Sequence, residues 1–125
     1  MITSQEQLLH GVAQRIYDKK GFNILALDIR SESSLYDFLL IAEGNVERHV
    51  QSLAGDVIDF LEASGADVFH VDGTQHGDWI VIDAGAIVVH LFVSELREKY
   101  ALEALWKMGE IVDLKIDWKK EKPNE

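Results

Sequence analysis

A chain of 125 residues with 47% hydrophobic and 27% charged content has the size of one domain and enough apolar material for a core. Wholesale disorder and a second independent core are therefore excluded. It has no cysteine, which removes disulfides, zinc ribbons, iron–sulfur clusters and thiol nucleophiles, and its net charge of −10 opposes affinity drawn from nucleic-acid phosphates.

The opening Met-Ile-Thr-Ser-Gln-Glu carries no basic or Arg-rich presequence, and no apolar run reaches the ~18–20 residues that span a bilayer. A soluble, cytoplasmic domain is expected. Residues 3–20 predict an amphipathic helix: Thr3 with Glu6 fits a capping box, Leu8, Leu9, Val12, Ala13, Ile16 and Tyr17 share a stripe, and Gly21 is the stop. Ile24 to Ile29 predict a strand covered on both faces, and Tyr36 to Ala42 a second apolar strand after a polar loop.

Gly44-Asn45 breaks the pattern, with Asn45 as N-cap of a helix whose stripe is Val46, Val50, Leu53, Val57 and Leu61. Ser64-Gly65 ends it, and a short strand is expected over 67–72. Trp79-Ile80-Val81-Ile82 and Ile87 to Phe92 flank Asp83-Ala84-Gly85-Ala86, a hairpin in which Gly85 supplies a positive φ. Ser94 caps a third helix containing Leu96, Tyr100, Leu102, Leu105 and Trp106, which Gly109 closes. Val112, Leu114, Ile116 and Trp118 alternate with polar residues as a final strand, and Pro123 lies in a frayed end. These elements predict a single-domain α/β fold with a mixed sheet of about five strands and helices packed on it. Residues 1–110 form the domain and 111–125 a C-terminal extension with an edge strand.

The acidic excess is local. Residues 28–83 hold twelve acids against Arg30 and Arg48 alone. Such a surface either keeps a small protein soluble or meets a basic partner, whose association it would speed.

Catalytic patterns are weak. His70, Asp72, His76 and Asp78 lie around one turn and could converge on Zn²⁺ or Mn²⁺, but without the ordered spacing of a helical metal motif. His90 sits inside an apolar strand, where a hydrogen-bonded imidazole is commoner than a ligand. Neither common nucleotide cradle occurs, and Asp28-Ile-Arg30 places a cation where a second metal-binding aspartate would be needed. No cofactor or metal is expected.

Three segments taken together resemble the ribosomal silencing factor family, also called Iojap or RsfS. The first is Asp28-Ile-Arg30 with Ser33, Asp37 to Ala42, Gly44, Arg48 and His49. The second is Gly77 to Asp83, continuing through Gly85 to Val88-Val89-His90-Leu91-Phe92. The third is Arg97-Glu98, Tyr100, Leu102-Glu103 and Leu105-Trp106. Glu43 and Val46 stand where the family usually carries small hydroxyl residues, read as a change of loop polarity. Ala84 replaces a residue often bulky in relatives.

The resemblance implies a nucleotidyltransferase-like shape without catalytic residues and a function that is not enzymatic. Members bind the large ribosomal subunit through its fourteenth protein on the intersubunit face. They obstruct joining of the small subunit and lower translation when nutrients are scarce. No direct nucleic-acid binding and no membrane contact are implied, and a homodimer is compatible.

Strand parity puts Trp79, Val81 and Asp83 on one face and Ile80 and Ile82 on the other, so the expected partner-binding set is Asp78, Trp79, Val81, Asp83, Ala84 and Gly85. Asp37, Arg48, His49, His90 and Tyr100 could hold the fold or touch the partner. The competing classes are a metal-dependent or nucleotidyltransferase-like enzyme using His70, His76 and Asp78, and a plain dimerisation module built on the tail strand.

Overall fold

The structure, a computed structural model, describes residues 4–99 and 109–117. Helix α1 (Gln5–Asp18) precedes β1 (Phe22–Asp28) and β2 (Phe38–Gly44), then α2 (Glu47–Ala63), β3 (His70–Asp72), the hairpin β4 (Trp79–Asp83) and β5 (Ile87–Val93), α3 (Ser94–Lys99) and β6 (Glu110–Ile111). They form one mixed sheet in the order β3-β4-β5-β2-β1-β6. β2 and β5 run parallel at its centre and every other pair is antiparallel. Among the described residues no helix is long and apolar enough to cross a membrane.

The sheet is apolar on both faces, as its unbroken hydrophobic strands predict. On one face Ala26, Phe38, Leu40, Ala42, Ile80, Ile82, Ile87, Val89 and Leu91 pack under the stripes of α1 and α2. On the other, Leu27, Ile29, Leu39, Ile41, Val88 and Phe92 form a second, smaller cluster with Leu25, Tyr36, Trp79, Val81 and Leu96 at its margin. Trp79, Val81 and Asp83 share this second face, as their parity requires.

Local chemistry moves several boundaries. The capping box of α1 is built by Ser4 with Gln7, not by Thr3 with Glu6. At its end the left-handed residue is Lys20 (φ 75°) rather than Gly21. Gly21 instead donates its N–H to Ile16 O and packs so close that a Cβ would meet Ile16 Cγ2 at 2.4 Å. α2 begins without a side-chain cap: Val46 holds the N-cap position and is 55% exposed, outside the buried stripe. Asn45 caps nothing, and its backbone N–H donates to His49 Nδ1.

β2 starts two residues later than the apolar run suggests, because the N–H groups of Asp37 and Phe38 both turn onto Ala86 O. The third short strand covers only His70–Asp72. Ser94 does not cap α3; its hydroxyl donates to Glu43 Oε1 at 2.6 Å. Tyr100, Leu102, Leu105, Trp106, Trp118 and Pro123 lie outside the described residues.

The tail differs most from expectation. Glu110–Ile111 pair with β1, Val112 N–H adds one bond to Ala26 O at 2.9 Å, and 112–117 form no strand. The alternation survives as burial, since Val112, Leu114 and Ile116 face the helix-covered core while their neighbours are exposed. Gln14 of α1 stands in for a neighbouring strand: its Oε1 accepts the Asp117 N–H at 2.7 Å and its Nε2 donates to Asp117 O at 3.4 Å.

Candidate functional site

The β4–β5 hairpin builds the site. Gly85 takes φ 83° in the turn, its N–H donates to Asp83 Oδ1 at 2.9 Å, and Ala84 N–H donates to Ile87 O. This closure fixes a register in which Trp79 faces Phe92, Val81 faces His90 and Asp83 faces Val88. Directly and diagonally opposed side chains on one face can touch.

Three aromatic rings meet there. Trp79 lies 5.0 Å from Phe92, centroid to centroid, and His90 stacks on Phe92 at 5.9 Å with 14° between planes. Trp79 Nε1 donates to His90 Nδ1 at 3.1 Å, which places the proton of the neutral imidazole on Nε2. Burial pushes the His90 pKa below its ordinary value. His90 is therefore one of the residues that hold the face together.

Asp83 closes the hairpin end of this face. Its Oδ2 accepts the Tyr36 hydroxyl at 3.0 Å, and that hydrogen bond, followed by partial burial and the carboxylate charge, raises the phenol's pKa. At the other end Asp72, Asp78, Trp79, Val81 and Leu96 line an open cleft of about 370 Å³. Carboxylates thus border the half-buried indole and Val81, with Asp78 next to Trp79, Asp72 of β3 directly opposite Val81, and Asp83 at the hairpin end.

Of the expected partner-binding residues, Asp78, Trp79, Val81 and Asp83 come together on or beside this face, and Ala84 and Gly85 form its tip. Asp37 joins the tip through its backbone bond to Ala86. Arg48 and His49 do not join it: they sit at the start of α2, which packs on the opposite face. His49 links two helix ends, accepting from Asn45 N–H and bonding Lys19 O at 2.9 Å through Nε2.

The metal arrangement fails on geometry. Among the described residues no three His, Asp or Glu side chains converge, and His70, Asp72 and His76 are exposed. The Arg30 guanidinium forks onto Asp28 through Nε at 3.0 Å and Nη2, lowering the Asp28 pKa by hydrogen bonding.

Sequence reasoning missed four contributors: Tyr36, Asp72, Leu96 and Glu43. Tyr36 had a signal, an aromatic just before an apolar strand, but its partner is 47 residues away. Glu43 is not a loop residue. It is 6% exposed within β2, where it accepts from Ser94 and Arg97. An acid inside an apolar strand was its signal.

The family model described as ribosomal silencing factor during starvation matches residues 2–125. The ribosomal silencing factor of Bacillus subtilis is 34% identical over 111 residues, covering 89% of this chain and 94% of that protein. A mouse protein named mitochondrial assembly of ribosomal large subunit protein 1 is 27% identical over 94 residues, covering 73% of this chain and 41% of that one. A crystal structure of a protein from Chromobacterium violaceum superposes with a TM-score of 0.81 at 30% identity, covering 92% of this chain and 95% of that one.

Proposed function

The chain belongs to the ribosomal silencing factor family, and on that premise we propose that it docks on the large ribosomal subunit and blocks joining of the small one. Translation then falls when nutrients are scarce. The partner is the subunit's fourteenth protein on the intersubunit face, the setting is the cytoplasm, and no catalysis is involved.

The observation that carries the reading is the half-buried Trp79 beside Val81, bordered by Asp72, Asp78 and Asp83. An amphipathic aromatic anchor inside a charged rim is the composition of a binding hot spot. Ribosomal proteins are generally basic, so the acidic 28–83 segment attracts such a partner while the surrounding RNA phosphate repels it.

Co-sedimentation with purified large subunits tests this on Trp79→Glu and Val81→Glu, with thermal unfolding recorded on the same samples. Loss of a hot-spot Trp costs ~2–4 kcal/mol, about thirty- to a thousandfold in affinity. The half-buried position limits the stability cost to about 1–3 kcal/mol. Folded variants that sediment as wild type would overturn the assignment of this face. Affinity should also fall between roughly 50 and 300 mM salt, over which the Debye length more than halves.

A further inference from the structure

We propose that His90 is the positioning residue for Trp79: its neutral imidazole holds the indole in the docking orientation, and protonation at Nδ1 releases it, so that acid weakens docking. The inference rests on the docking role of Trp79 and adds a regulatory device to it.

Geometry carries the argument. An indole N–H is a donor only, so the 3.1 Å contact from Trp79 Nε1 requires a lone pair on His90 Nδ1. A proton on Nδ1 would set two donors against each other. Phe92, opposite Trp79 and stacked on His90, confines both rings, so the imidazole has little room to turn its other nitrogen toward the indole. His90 itself is flanked in the sheet by Val81 of β4 and Ile41 of β2, neither of which stabilises an added charge.

Of the charged and titratable groups on this face, Asp83 and Glu43 are committed elsewhere, while Asp72 and Asp78 line the open cleft on the Trp79 side. Asp83 of β4 accepts from Tyr36 and from Gly85 N–H. Glu43 of β2 is held by Ser94 and by Arg97 of α3. β1 presents Leu25, Leu27 and Ile29, and β3, beyond β4, adds the exposed His70 and Asp72. Burial lowers the His90 pKa, so the switch operates below the ordinary histidine range and leaves docking intact at neutral pH.

The test uses the full chain with purified large subunits at pH 7.5 and 5.0, comparing wild type, His90→Leu and His90→Asn. Asparagine can place an acceptor near the Nδ1 position and does not titrate; leucine offers none. Wild type should bind more weakly at pH 5.0 than at pH 7.5. His90→Leu should bind about five- to tenfold more weakly at pH 7.5, the range of one hydrogen bond, with a smaller pH response. His90→Asn should bind near the wild-type level at both pH values.

On the free protein, the indole N–H resonance of Trp79 should move with the titration of the His90 ring, and it should lose that step in His90→Asn. A wild-type pH response retained by His90→Asn would overturn the proposal, as would a Trp79 resonance indifferent to His90. If folded Trp79→Glu binds normally, the docking assignment fails instead. The resonance titration, read without the ribosome, tells the two failures apart.

Discussion

Arg97 of α3 and Glu43 of β2 form a nearly buried ion pair, Nη1 to Oε2 at 3.1 Å, with side chains 15% and 7% exposed. The pair fastens the segment after β5 to the central strand and orients Leu96 over the second face. Arg97→Ala leaves a buried carboxylate with the Ser94 hydroxyl but no cation. Breaking such a pair costs about 3–5 kcal/mol, and the remaining hydroxyl bond places this case near the lower end. Replacing both partners, Glu43→Leu with Arg97→Met, should cost less than Arg97→Ala alone. Urea unfolding of the variants checks the order.

Two helical glycines should respond oppositely to alanine. Gly55 lies on the exposed side of α2 with nothing within 4 Å of an added Cβ, so Gly55→Ala should stabilise by about 0.5–1 kcal/mol. Gly11 of α1 faces the Phe60 ring, which a Cβ would meet at 2.1 Å. Gly11→Ala should therefore destabilise by about 1–3 kcal/mol unless the ring rotates away. Thermal melts of the two variants should move in opposite directions.

Stability should depend on pH through His90. Its folded-state pKa lies below the ordinary 6.5, so the unfolded chain binds the proton more readily. The contribution is fully present above about 6.5 and is lost as pH falls through the folded-state value. Chemical unfolding at a series of pH values should show that loss in wild type, with a smaller loss in His90→Asn.

The tail should matter for stability and not for docking. Leu114 is 8% exposed against the helix-covered core, so Leu114→Ala should cost about 2–3 kcal/mol, the low end for a buried leucine. Gln14→Ala removes both bonds to Asp117 and should cost about 1 kcal/mol. Deleting residues 112–125 should lower the melting temperature while large-subunit co-sedimentation persists. A truncated protein that stays folded and no longer binds would assign the tail to the interface.

For α1, α2, β4 and β5, periodicity alone determined which segments are helix or strand and which face each strand presents. The stripe of α1, the alternation of β4 and the turn at Gly85 are local properties, set by side-chain geometry within a few residues. The family motifs in 28–106 were likewise legible, because they are words in the sequence. Tertiary structure decided what each polar residue does. His49 and His90 looked alike on paper, yet one bridges two helix ends and the other receives the Trp79 indole from a neighbouring strand. Glu43 reads as a change of loop polarity until Arg97, 54 residues later, closes over it. The tail alternates like a strand, yet beyond Ile111 it keeps one backbone bond to β1, Val112 N–H to Ala26 O, packs on the core, and meets Gln14, 103 residues away from Asp117. A hydrogen bond depends on a partner brought near by the packing of distant segments, and local sequence carries no record of that partner.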